Sequence, residues 1–214
     1  MNKVTIGFIL ALTAIAAGCT TTQPQSSRNL ADPAVPGKAL AQQVCSICHG
    51  VDGNSTNPTF PRLAGQQETY LIAQLTEFRS HGRSDPAGSE YMWGISRHLT
   101  DAQIQQLAAY FSQQKPSADQ SVNPRLEADG KAIFMKGLSS QNIPACETCH
   151  GASGQGNGIF PRIAGQHADY IAKQLRVFKE TEMRPAGAVM KVITHDLTPD
   201  EIKAVAAYVS TISQ

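Results

Sequence analysis

An all-α chain built from two tandem copies of one small domain is what this sequence predicts, on three observations. The stretch Phe60-Pro61-Arg62-Leu63-Ala64-Gly65-Gln66 recurs as Phe160-Pro161-Arg162-Ile163-Ala164-Gly165-Gln166. Apolar residues in both copies follow helical spacing, with no credible pair of strands. The last helix of each copy opens with the same start signal. An internal repeat of this kind fixes the architecture before any finer reading.

The elements follow in chain order. Met1 to Gly18 has a basic start at Lys3, an apolar run from Val4 to Ala17 and a small-residue end, the pattern of a secretory signal over 1–18. Ala16-Ala17-Gly18 directly before Cys19 resembles a bacterial lipobox, which implies a diacylated Cys19 and a membrane anchor. Residues 19–34 are polar and aperiodic and read as a flexible tether. The first domain is expected over 35–113, a linker over 114–127 around Lys115-Pro116-Ser117, and the second domain over 128–214.

Within the copies, Leu71, Leu75 and Phe78, then Ile104, Leu107, Ala108 and Phe111, mark two helices. Their counterparts are Ile171, Leu175 and Phe178, then Ile202, Val205, Ala206 and Val209. Thr100 with Gln103 and Thr198 with Glu201 fit capping boxes, Pro199 suits a first helical position, and Leu99 with Ile104 or Leu197 with Ile202 suit hydrophobic staples. Earlier helices are expected around 37–44 and 130–136, and the second copy carries an extra loop over 137–145.

The chemistry sits in two pentapeptides, Cys45-Ser46-Ile47-Cys48-His49 and Cys146-Glu147-Thr148-Cys149-His150. Two thiols three apart followed at once by an imidazole form the attachment motif of a c-type haem. Cys45, Cys48, Cys146 and Cys149 would form thioethers to two haems, and His49 and His150 would be the proximal iron ligands. Zinc is disfavoured, because 97 residues separate Cys48 from Cys146 and each histidine abuts its own cysteine. A thioredoxin-like dithiol lacks the βαβ setting it needs. Two domains of about 80 residues are marginal on their own apolar burial, so a large apolar cofactor in each core would supply missing volume.

The sixth ligand separates a carrier from a catalyst. Met92 precedes Leu99 by seven residues and Met190 precedes Leu197 by seven, so this matched pair is expected to ligate. Met183 has no counterpart, and Met135 is expected to fill a core gap. His81, His98, His167 and His195 are unmatched between copies and are expected to face solvent. A net charge of +1 predicts no nucleic-acid or acidic-membrane partner.

The run of Cys-His-Gly, then Gly53 or Gly154, Phe-Pro-Arg-x-Ala-Gly-Gln, a tyrosine-bearing helix, a late methionine and a closing Leu-Thr…Ala-Ala-Tyr helix resembles the bacterial dihaem cytochrome c4 family over about 180 residues. The resemblance implies a class I cytochrome c fold in each half and two haems close together across the interface. It also implies that the carbonyls of Pro61 and Pro161 accept hydrogen bonds from the proximal histidines. The lipobox-like leader and the Glu90-Tyr91-Met92-Trp93 neighbourhood depart from the pattern. The expected function is that of a periplasmic, lipid-anchored electron carrier between a quinol-oxidising complex or dehydrogenase and a terminal oxidase or reductase. The alternatives are a dihaem enzyme, such as a peroxidase or thiosulfate-oxidising cytochrome, and the cytochrome subunit of a dehydrogenase.

Overall fold

The computed structural model describes residues 29–86, 88–120 and 122–213. Cys19, the leader and the start of the tether lie outside them. The described chain is helical, with two isolated antiparallel bridges and no strand among the described residues. In the first half, α1 (Gly37–Leu40) passes into a π-helical segment (Ala41–Cys45) and then α2 (Ser46–His49), followed by α3 (Glu68–Arg79), α4 (Gly88–Ser96) and α5 (Asp101–Ser112). The second half has α6 (Pro124–Lys136), α7 (Glu147–His150), α8 (Ala168–Glu180), α9 (Ala188–Thr194) and α10 (Pro199–Thr211), with short 3-10 turns at Ser139–Gln141 and Pro185–Gly187.

The closing helices begin as the side chains dictate. Thr100 and Gln103 form a complete capping box at α5, and Thr198 and Glu201 form one at α10, with Pro199 in the first turn. Each box satisfies backbone N–H groups that the helix leaves without partners. The apolar faces then bury together. Leu71, Leu99, Ile104, Leu107, Ala108 and Phe111 join Val35 and Leu40 in the first core. The second half divides its core: Ile133 and Phe134 of α6 pack on Val205 and Val209, while Ile143 of the inserted loop packs on Leu197 and Ile202.

First and last helices of each half cross at a glycine. A Cβ on Gly37 would overlap the Gln106 side chain, and one on Gly130 would overlap the Ala204 carbonyl oxygen. Only hydrogen at these positions lets the paired helices approach so closely.

Three segments differ from what the sequence predicts. The tether does not run loose to residue 34: Asn29 and Asp32 make side-chain turns to the amides of Ala31 and Ala34, Gln103 Nε2 donates to the carbonyls of Asp32 and Val35, and Leu30 packs on the first core. The helix expected near 130 begins at Pro124, because Asn123 caps the amides of Arg125 and Leu126. Met135, expected in a core, is 43% exposed. The connection between halves is itself stitched down. Asn54 bonds the Lys115 carbonyl and the Ser117 amide, and Asp119 accepts from Arg62 while its amide donates to Ser210.

Candidate haem centres

The two pentapeptides end in short helices that direct His49 and His150 inward. Both rings are buried, and each Nδ1–H donates to a proline carbonyl, His49 to Pro61 at 2.8 Å and His150 to Pro161 at 2.9 Å. That bond fixes the tautomer and leaves the Nε2 lone pair free to take a metal. Phe60 and Phe160 meet the rings edge-on at 6.2 and 6.3 Å. Burial holds both imidazoles below the ordinary histidine range, with the proline carbonyls opposing it. Neutral rings with a free lone pair are the form a metal binds.

One continuous cavity of about 490 Å³ serves both halves. Its walls include Cys45, Cys48, His49 and Met92 from the first half and Cys146, His150 and Met190 from the second. Cys149 is half-buried and is not among those wall residues, and the described cysteines form no disulfides. Burial pushes the Cys45 thiol up to about 12 and that of Cys146 up to about 11. Such thiols remain protonated at neutral pH, and conversion to thioethers removes the titrating group from the apolar wall.

Met92 lies on α4 and Met190 on α9, and each helix is secured beneath its methionine by a buried hydroxyl four residues on. Ser96 Oγ donates to the Met92 carbonyl at 2.6 Å, and Thr194 Oγ1 to that of Met190 at 2.7 Å. Met183, at 36% exposure, is not part of the cavity wall. An apolar cavity, paired cysteines, a neutral histidine and a methionine in the cavity wall of each half fit a covalent haem.

The recurring heptapeptide works for both the cofactor and the interface. Leu63 and Ile163 line the cavity, while Gly65 and Gly165 turn with φ of 65° and 69° and bond α5 and α10. Across the interface, Gln66 accepts from the Arg162 amide and donates to its carbonyl at 2.9 and 2.8 Å, and Gln166 does the same to Arg62 at 2.8 and 2.8 Å. Farther along, Arg83 reaches Tyr170 and Arg184 reaches Tyr70, the counterparts crossing in opposite senses. In the sequence the glutamines, Tyr70 and Tyr170 stand out only as repeat markers, and Arg83 and Arg184 do not stand out at all. Polar identity in matched positions of both copies is the signal that could have found them. His167, expected to face solvent, is 6% exposed and donates through Nε2 to the Ser55 carbonyl of the other half at 2.9 Å. His81 and His195 are exposed, with His81 stacked on Trp93 at 4.5 Å.

The cytochrome c family profile matches residues 34–115 and again 127–213. The chain is 40% identical over 190 residues to cytochrome c-552 of Acidithiobacillus ferridurans, covering 88% of this chain and 82% of that protein. It is 37% identical over 213 residues to cytochrome c4 of Pseudomonas aeruginosa, covering 98% of each. The crystal structure of reduced recombinant cytochrome c4 from Pseudomonas stutzeri superposes with a TM-score of 0.75 at 38% identity, covering 82% of this chain and 96% of that one. Two such domains, each with a C-x-x-C-H pentapeptide, carry two covalently attached haem c groups, and the molecule is an electron-transfer protein. On the doubled domain match and the near full-length identity, the chain belongs to the cytochrome c4 family of tandem-domain c-type cytochromes.

Proposed function

We propose that the chain is a periplasmic electron carrier, not an enzyme, in which His49 and Met92 hold one haem iron and His150 and Met190 hold the other. The observation that carries this reading is that the histidine and the methionine of each half line the same cavity, at matched positions in both. Each haem, when bound, supplies a one-electron ferric–ferrous couple. The chain's residues restrict what that couple can do. His49 with Met92 and His150 with Met190 would hold the two irons with no position left for a substrate, and a fixed ligand set would keep rearrangement on electron transfer small. The Pro61 and Pro161 carbonyls orient the imidazoles, and the hydroxyls of Ser96 and Thr194 hold the methionine helices at their stations. Thioether sulfur favours the ferrous state relative to a second imidazole.

Partners in this reading are redox proteins, a quinol-oxidising complex or dehydrogenase as donor and a terminal oxidase or reductase as acceptor. Acylation of Cys19 would hold the carrier at a bacterial membrane, with 19–28 and the packed 29–34 as its lead. No helix among the described residues is long and apolar enough to cross a membrane.

The test is the spectrum of the oxidised holoprotein. Two low-spin haems with the near-infrared methionine-to-iron charge-transfer band are expected, and Met92→Ala or Met190→Ala should remove about half of that band's intensity. A high-spin haem in the unmodified protein overturns the carrier reading, and a Met190→Ala variant with the full band moves the ligand elsewhere. Mass spectrometry of the mature N-terminus reads the acyl chains on Cys19.

A further inference from the structure

The halves share most of the side chains around the cavity; Glu77 stands against Val177, Lys173 against Ala73, and Asp85 has no counterpart, and of these three charges only Asp85 is fully buried. Arg83 and Arg184 are counterparts: each guanidinium carbon lies 4.5 Å from the ring centroid of its own half's phenylalanine, Phe78 or Phe178. Each donates through Nη1 to its own half's glutamine, Gln74 or Gln174, at 2.7 Å. Each also reaches the other half's tyrosine, at 3.3 Å for Arg83 and 2.9 Å for Arg184.

After Arg83 the first half inserts Ser84-Asp85 before Pro86-Ala87-Gly88, whereas Arg184 runs straight into Pro185-Ala186-Gly187. Asp85 is 0% exposed and accepts from Arg83 through Nε at 2.5 Å and Nη2 at 3.2 Å. Its second oxygen also accepts from Gln174 Nε2 at 3.2 Å, and Lys173 Nζ stands 3.9 Å away. Among the described residues Arg184 hydrogen-bonds only neutral groups, Gln174, Gln74 and Tyr70. Arg83 is therefore ion-paired directly, whereas Arg184 meets no carboxylate within 4 Å among the described residues and feels Asp85 only at longer range, through Gln174. Burial works against a charged Asp85, but the hydrogen bond and charge of Arg83, the Gln174 amide and the charge of Arg184 outweigh it, so the carboxyl stays below its usual range.

We propose that Asp85 sets the difference in electron affinity between the two haems, by neutralising Arg83 beside the first while Arg184 keeps its positive charge beside the second. An unneutralised cation at a buried site favours the state that has gained an electron, and the effect is large where water is excluded. An electron arriving at the first half is then drawn toward the second. The inference rests on the reading of one haem held by its own half, and it assigns to a two-residue insertion the one fully buried charge that distinguishes the two sites.

The test is a redox titration of the dihaem holoprotein followed by haem-methyl NMR signals assigned to each half. Asp85→Asn should raise the reduced-to-oxidised ratio of the first haem about tenfold at fixed potential, and that of the second by less than about threefold. The double variant Arg83→Gln/Asp85→Asn removes a pair of zero net charge and should bring the first haem back within about threefold of the unmodified protein. Should Asp85→Asn fail to fold, Arg184→Gln supplies the converse, lowering the second haem's ratio about tenfold while the first stays within about threefold. Equal shifts at both haems, no shift at either, or a double variant that does not recover overturns the inference. The methionine charge-transfer band, recorded on the same samples, reports separately on the ligand set: its absence from the unmodified protein strikes the carrier reading instead.

Discussion

The two halves agree at the histidine, proline, phenylalanine and methionine of each cavity and differ most in the helices that open them. His, Pro, Phe and Met occupy matched positions, and even the hydroxyl beneath each methionine helix recurs, as serine in one half and threonine in the other. The opening helices do not match. The first half begins with a four-residue α-helix and a π-helical segment, the second with thirteen continuous residues of α6 and an inserted loop behind them. Holding a haem leaves few geometries, because covalent attachment and axial ligation fix several atoms at once. The helices that merely enclose it need only volume and a close crossing, so they have more freedom to diverge.

That contrast can be broken first at the crossing glycines. Gly130→Ala drives a methyl group into the backbone of α10 in the middle of a long helix, and should cost about 3 kcal/mol in denaturant unfolding; Gly37→Ala, at the first residue of a short helix, should cost about 1 kcal/mol. Equal losses would mean that the two crossings are equally rigid. The interface should respond evenly. Gln66→Ala strands the buried amide and carbonyl of Arg162, and Gln166→Ala the part-buried pair of Arg62, so each should cost about 1–3 kcal/mol, and a large inequality would show that the reciprocal bonds do not share the load.

The smallest effect concerns His167, whose counterpart is Gln67. Burial first, and the nearby Arg62 charge second, hold its ring below the ordinary value of 6.5. As pH falls through about 6.5 the unfolded chain takes up a proton there before the folded chain does, so stability declines on the acid side of that window. His167→Gln should flatten the decline between about pH 7.5 and 5, as read by denaturation midpoints.

Much of this was legible in the sequence because repetition doubled each signal. The capping boxes at Thr100 and Thr198, the apolar faces of α5 and α10 and the all-helical class follow from local pattern alone. His167 could not be read that way: its burial depends on Ser55 of the other half, and a lone histidine carries no mark of a distant partner. Leu30 and Asp32 looked like part of a polar tether because the surface that receives them is assembled largely from α5, far along the chain. Asp85 lay in a two-residue offset between the copies, which a search tuned to matches treats as noise.

The reciprocal glutamine bonds make each half depend on the other. Gln66 and Gln166 grip the residues that directly follow Pro61 and Pro161, and those prolines orient the histidines, so each half braces the iron-binding side of the other. A descendant that shed one half would expose the amide and carbonyl of the surviving arginine and slacken its own histidine support. Either half alone would therefore be a poorer holder of its own histidine than the same half in the pair.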